Sequence, residues 1–150
     1  MPFYEKDLGE GLVLRSVRHE ADVARYVAIN TVVTNEGMIA ERLLGHHPET
    51  SYEDYLLVVD EQSGEAVSTT CLFPWRCVYE DVTLNVAMLE MVVTHSAYRQ
   101  RGLVRLQMEC FHQMVVERGF DLSIIQGIFY YYRQFGYTYA LDHTPVISLP

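Results

Sequence analysis

NVAMLEMVVTHSAYRQRGLVRLQMEC, residues 85–110, contains the strand, turn and helix that decide the fold. Residues 86–93 are apolar apart from Glu90, with three β-branched valines, which is typical of a strand buried on both faces. A polar loop and a basic glycine turn, RQRG at 99–102, follow the strand. From Leu103 onward apolar residues recur at helical spacing. The stretch therefore predicts a strand, a basic turn and a helix in direct succession.

A turn of this kind suits the binding of an anion. The first N–H groups of a helix have no partner within the helix, and the helix dipole adds partial positive charge there. Gly102 permits close approach of the backbone, and Arg99, Arg101 and Arg105 add full positive charges. The turn thus predicts a phosphate or pyrophosphate site, although neither the Walker nor the dinucleotide glycine pattern is present. The alternative is a surface turn with solvated arginines.

Two segments resemble the GNAT superfamily of N-acetyltransferases. VVTHSAYRQRGLVRLQ, residues 92–107, is similar to the family's acetyl-coenzyme A site, whose signature is Q/R-x-x-G-x-G/A. Arg99 and Gly102 match its first two fixed positions, and Val104 departs from the third. FYYYRQFGY, residues 129–137, resembles the aromatic segment that follows in the family, and the two matches stand in the family's order and spacing. The closest likeness is to enhanced-intracellular-survival-type acetyltransferases, which have further domains.

The resemblance implies a fold of the α/β (α+β) class. The GNAT fold has a mixed, mainly antiparallel central sheet with helices on both faces. We expect residues 1–150 to form a single GNAT domain, either stand-alone or the N-terminal part of a longer protein. The patterns predict strands over residues 11–17, 55–59, 65–72, 77–79, 82–93, 121–126, 137–140 and 146–149, with Phe73-Pro74-Trp75 interrupting one strand at an edge or a bulge. They predict helices over 19–33, 36–44, 103–118 and 127–134.

The family's use of these segments implies where acetyl-coenzyme A binds. A bulge in the strand before the turn frees backbone groups for the pantetheine arm, and by position these belong to Met91, Val92 and Val93. One of these N–H groups would also stabilise the developing oxyanion. The pyrophosphate is expected at the turn, in contact with Arg99, Gln100, Arg101, Gly102, Leu103 and Val104.

Two residues are candidates for the acid–base chemistry. Tyr132 matches the tyrosine that the family places near the coenzyme sulfur, where a phenol can protonate the departing thiolate. A core aromatic is the alternative role, and Tyr131 is the fallback acid. Glu90 is a carboxylate in an apolar strand, so it acts either as the general base or as a structural ion-pair partner of an arginine. The usual base position lies two residues earlier, near Met88.

Composition narrows the class of partner. The net charge of −9 argues against nucleic acid and suits a cationic amine, either a small molecule or a protein lysine. No apolar run reaches the roughly 20 residues of a membrane span, and three cysteines without framework spacing indicate free thiols in the cytoplasm. No residues have the spacing of a metal site. Whether the chain forms a homo-oligomer is left open.

The sequence thus predicts an acetyl-coenzyme A-dependent N-acetyltransferase that transfers the acetyl group directly to a primary amine. The alternative is a module with the same fold that binds an acyl-coenzyme A or a partner chain without catalysis. Val104, in place of a small residue, favours that alternative.

Overall fold

The computed structural model describes residues 4–128 and 130–140. Within these residues, six strands and three α-helices follow one another in the order ββααβββαβ. The strands are β1 (Glu5–Gly9), β2 (Leu12–Ser16), β3 (Tyr55–Asp60), β4 (Glu65–Tyr79), β5 (Val82–Thr94) and β6 (Leu122–Ile125). The helices are α1 (Glu20–Thr34), α2 (Gly37–His46) and α3 (Leu103–Glu117).

The strands form one mixed sheet in sequence order, β1-β2-β3-β4-β5-β6. The first five strands pair antiparallel, and β6 joins parallel to β5 after the α3 crossover. A parallel pair requires a long connection, which α3 supplies. The predicted mixed, mainly antiparallel sheet is confirmed.

Helices cover both faces of the sheet, as predicted. Strand β3 shows why, because successive side chains of a strand point to opposite faces. Leu56 and Val58 belong to the core that contains Phe111 and Met108 of α3. Leu57 and Val59 belong to the core on the other face, which contains residues of α1 and α2. A strand buried on both sides thus separates two apolar layers.

Strand β4 differs from the prediction at Pro74. The strand is not interrupted there, because Pro74 pairs with Ala87 in a ladder that runs on to Tyr79. The pairing of β4 with β3 ends at Cys71, so the outer edge of β4 is free beyond that point. A proline lacks the N–H donor, which a free edge does not need. Pro74 therefore marks an edge, and the continuous strand corrects the predicted break.

The segment after β6 also differs from the prediction. In place of a helix over residues 127–134, a 3-10 helix spans Tyr131–Phe135. It begins late because Tyr130 has a left-handed backbone conformation, which ends any regular helix that approaches it. Residues 137–140 form no strand, and the predicted strand over 146–149 lies outside the described residues.

Strand β1 was not predicted from sequence. Four of its five residues are exposed, so it carries no apolar alternation. Among the described residues, no helix has both the length and the apolar character needed to cross a membrane.

Candidate active site

The candidate site begins where β5 and β6 separate. Their parallel pairing stops at Leu89 and Ile125, so β5 has no β6 partner over residues 90–94. A cavity of about 640 Å³ occupies this gap. Helix α2 and strand β4 form its opposite wall, through residues such as Leu43 and Phe73. The backbone of β5 is therefore open on the side that faces a cavity.

A β-bulge lies in this open stretch of β5. Thr69 pairs with Val93 and Cys71 pairs with Glu90, so β5 has one more residue than β4 between these pairs. Met91 has a φ of 54°, in the left-handed region that a residue with a side chain rarely adopts. The bulge lies at Met91 and Val92, two of the three residues to which the family resemblance assigns free backbone groups, whereas Val93 pairs with Thr69.

Hydroxyl groups of β4 hold the bulged carbonyls. Thr70 donates to the carbonyl of Glu90 at 3.3 Å, and Thr69 donates to that of Met91 at 3.0 Å. The C=O and the N–H of a trans peptide point in opposite directions, so both peptide N–H groups are turned away from β4. In a regular strand, successive N–H groups alternate sides. The bulge therefore directs two successive amides, those of Met91 and Val92, to the open side of β5, where the Met91 amide also reaches the Glu90 carboxyl group.

A third hydroxyl supports the end of the bulge. The Ser68 hydroxyl lies 2.8 Å from the Val93 carbonyl and 2.8 Å from the Gln107 side-chain oxygen of α3. Ser68, Thr69, Thr70 and Gln107 are all buried. Sequence analysis did not single out these residues, although three hydroxyl residues in a buried strand are a detectable signal, because buried polar groups need partners.

Glu90 lines the cavity and carries no arginine partner among residues 4–128 and 130–140. Burial raises the pKa of its carboxyl group, the Met91 amide lowers it in part, and the charge of Glu36 raises it further. Glu36 lines the same cavity from the start of α2. Desolvation without an ion pair is the environment that makes a carboxylate a better proton acceptor.

Tyr132 lies in the same cavity as Glu90. Its side chain is 8% exposed and packs closely on Gly127, where an added Cβ would come within 2.4 Å of the ring. Burial, and then neighbouring Tyr131, Tyr137 and Glu90, raise the pKa of Tyr132 to about 12. The phenol is therefore protonated at neutral pH and can donate a proton.

Tyr131, the fallback acid, faces a different space. Its ring lies 5.0 Å from that of Tyr132, yet it lines the groove at the basic turn rather than the cavity that contains Glu90. The structure thus brings Tyr132, and not Tyr131, together with Glu90.

The basic turn forms a groove of about 430 Å³ at the start of α3. Gly102 precedes the first helical residue with a φ of 75°, and an added Cβ would meet no atom within 4 Å. The glycine therefore faces open space, at the end of α3 whose first amides have no partner within the helix. Of the residues expected to contact the pyrophosphate, the groove is lined by Arg99, Gln100, Gly102, Leu103 and Val104.

Two arginines of the turn have distinct positions. Arg101 does not line the groove, and its guanidinium lies 5.0 Å from the centre of the Tyr98 ring. Arg105 lines the groove and donates to the Gln134 side chain at 3.1 Å. Arg105 thus joins α3 to the 3-10 helix that carries Tyr132.

These features fit acetyl-coenzyme A in two places. Arginines and free helix amides match the double negative charge of a pyrophosphate. The outward amides of Met91 and Val92 match the amide-bearing pantetheine arm, as an added strand would. Among the described residues, no group of three or more His, Cys, Asp and Glu side chains could hold a metal ion.

Comparisons with known proteins agree with this geometry. The family profile described as an acetyltransferase (GNAT) domain matches residues 19–140. Comparison with curated protein sequences gives no match.

Solved acetyltransferases share the fold. A Trypanosoma brucei acetyltransferase superimposes with a TM-score of 0.69 at 17% identity, covering 92% of this chain and 99% of that one. Eis1 from Mycobacterium abscessus superimposes with a TM-score of 0.64 at 18% identity, covering 84% of this chain and 31% of that one. An aminoglycoside N-acetyltransferase solved with coenzyme A gives a TM-score of 0.72 at 8% identity, covering 93% of this chain and 96% of that one. With the family profile matched over most of its length, this chain belongs to the GNAT acetyltransferases.

Proposed function

We propose that the protein transfers an acetyl group from acetyl-coenzyme A directly to a primary amine, with Tyr132 as the general acid and Glu90 as the general base. The observation that carries this proposal is the pair of successive amides, Met91 and Val92, on the open side of β5 beside both residues. When bound, acetyl-coenzyme A supplies the acetyl thioester. The chain supplies the donors, the acid and the base.

The groove at the basic turn and the bulge of β5 bind different parts of acetyl-coenzyme A. The groove residues Arg99 and Arg105, with the first amides of α3, hold the pyrophosphate. The amides of Met91 and Val92 hold the pantetheine arm, and one of them stabilises negative charge on the reacting carbonyl oxygen. The Val104 side chain lines the groove but does not fill it, so space for the pyrophosphate remains at the start of α3.

Proton transfer follows from the two pKa shifts. Glu90 has a raised pKa and takes a proton from the acceptor ammonium, either directly or through water, which leaves a nucleophilic amine. The amine nitrogen forms a bond to the acetyl carbon while the carbon–sulfur bond breaks, and the second proton that this nitrogen loses on becoming an amide passes to solvent. Tyr132 gives its proton to the departing sulfur, and solvent restores it. No covalent intermediate on the enzyme is required.

The acceptor is cationic. Glu36 and Glu90 line the cavity, and no lysine or arginine among the described residues does. The net charge of −9 also favours the approach of a cationic acceptor to the protein.

The experiment is a thiol-release assay with acetyl-coenzyme A and a panel of amines, with each product identified by its mass. We expect release of free coenzyme A that depends on the amine, with one acetyl group added to that amine. Binding of acetyl-coenzyme A without transfer to any amine would contradict the proposal and favour the non-catalytic module.

A further inference from the structure

The wall of the cavity opposite β5 is apolar and elongated. Ile39, Leu43 and His47 line the cavity and are spaced four residues apart, so they form one stripe along α2 and its end. From Ile39 to His47 this stripe extends about 12 Å, at 1.5 Å per helical residue. The stripe is longer than the amino group of an acceptor, so it can also contact the rest of the acceptor molecule.

Aromatic rings extend the apolar wall onto β4. Phe73 and Trp75 both line the cavity, and the His47 ring lies 5.0 Å from that of Phe73. Trp75 is 53% exposed, although its indole is among the largest apolar surfaces that a side chain offers. Covering this aromatic surface with another apolar group removes apolar area from water and is therefore favourable.

The charged groups of the cavity lie at one end of this aromatic wall, because Glu90 pairs with Cys71, two residues before Phe73 on β4. The charge of Glu36 raises the pKa of the Glu90 carboxyl group, so the two carboxylates lie near one another, whereas Phe73 and Trp75 carry no charge. Beyond the carboxylates, the side chains with polar atoms that line the cavity in the described part of the chain are those of Thr34, His47, Trp75, Gln126 and Tyr132, and the remaining lining side chains are apolar. An acceptor rich in hydroxyl groups would lose more hydrogen bonds to water than it regains here.

We propose that the acceptor is a primary arylalkylamine, with its ammonium group at Glu36 and Glu90 and its ring against Phe73 and Trp75. This inference rests on the proposed function. The carboxylates select the cationic end, and the aromatic wall selects the body by stacking or edge contact. Phosphorylated acceptors are repelled by the two carboxylates, and sugar amines lack apolar surface for the wall.

The first test compares acceptors under equal conditions. The panel contains 2-phenylethylamine, spermidine, kanamycin, glucosamine 6-phosphate and a lysine-containing peptide. We expect kcat/KM for 2-phenylethylamine to exceed that for each of the others by about tenfold or more, the factor for one aromatic contact of about 1.4 kcal/mol. A higher kcat/KM for any of the other four would overturn this inference, while its acetylation would still support the proposed function.

The second test removes the aromatic surface. Trp75→Ala should raise KM for 2-phenylethylamine about tenfold and change kcat little, because the ring binds the acceptor and lies away from the reacting atoms. Tyr79→Ala is the matched control, since Tyr79 is an exposed aromatic residue of the same strand that does not line the cavity. Equal KM values in the two variants would contradict the aromatic subsite.

A binding measurement separates this inference from the proposed function. Trp75 is the single tryptophan of the chain, so its fluorescence reports directly on the wall. We expect 2-phenylethylamine to shift the emission of the wild-type protein and of Tyr79→Ala to shorter wavelength in a saturable titration. Saturable binding without acetylation would support the subsite and contradict catalysis. Acetylation of another amine, with no fluorescence change on addition of 2-phenylethylamine, would support catalysis and contradict the subsite.

Discussion

The hydroxyl of Thr69 donates to the carbonyl of Met91 at 3.0 Å, across the bulge in the pairing of β4 with β5. This contact fixes the peptide after Met91 with its N–H toward the cavity. The sequence alone assigns Met91 to the coenzyme site through the family resemblance, but it does not point to Thr69, a buried threonine of β4. Together they convert the main chain of β5 into a binding edge.

Thr69→Val tests the bulge support. It keeps the shape of the side chain and removes the hydroxyl, so the Met91 carbonyl loses a buried partner at a cost of about 1–3 kcal/mol. We expect the affinity for coenzyme A to fall several-fold in calorimetric titration, because the amide of Val92 is less firmly directed. Thr83→Val, at an exposed position of β5, is the control. Wild-type affinity in Thr69→Val would contradict the role of the hydroxyl.

Gly102→Leu tests the pyrophosphate groove. The side chain would occupy the open space in front of the first amides of α3, so binding of coenzyme A should weaken by an order of magnitude or more. Gly119→Leu is the control, because Gly119 also has positive φ and open space but follows the other end of α3. Both variants should lose about 1–2 kcal/mol of stability from backbone strain. Equal coenzyme affinity in the two would place the pyrophosphate elsewhere.

The arginines of the turn provide an internal comparison. Arg99 lines the groove, whereas Arg101 lies over the Tyr98 ring outside it. Arg99→Ala should therefore weaken coenzyme binding more than Arg101→Ala and should reduce its dependence on salt. Titrations at two salt concentrations measure both effects. If Arg101→Ala is the more harmful substitution, the groove as described is not the anion site.

Glu90→Gln separates a base from a structural carboxylate. A raised carboxyl pKa means that the folded protein holds the proton to higher pH than the unfolded chain does, so ionisation of Glu90 destabilises the fold as pH rises. The amide cannot ionise, so Glu90→Gln should melt no lower than wild type at neutral pH. Turnover should nevertheless fall, and the rise of rate with pH should lose the step that Glu90 causes. A lower melting temperature with an unchanged pH profile would indicate a structural role.

Sequence patterns predicted the parts of the fold that repeat regularly. Residues 11–17 and 103–118 carry clear two-residue and helical periods, and the structure confirms a strand and a helix there. Strand β1 has no such period because it is mostly exposed. The break expected at Pro74 was wrong because sequence does not show that β4 has a free edge there.

The prediction of an anion site at the basic turn depends on local chemistry. A glycine turn before a helix indicates an anion site from sequence alone, and the structure shows the corresponding groove. The position of Arg101 outside that groove depends on the Tyr98 ring, which sequence cannot orient. The cavity wall formed by Glu36 and Trp75 brings together residues far apart in the chain. Only the packing of α2 beside β4 reveals it.

The turnover of Tyr132→Phe tests the central claim most directly. The substitution keeps the ring and its packing on Gly127 while it deletes the hydroxyl. General acids typically contribute about a hundredfold to ten-thousandfold. We expect kcat for acetyl transfer to fall by about two orders of magnitude or more, with unchanged coenzyme affinity and melting temperature and with Tyr131→Phe near wild type. Full turnover in Tyr132→Phe would contradict the account.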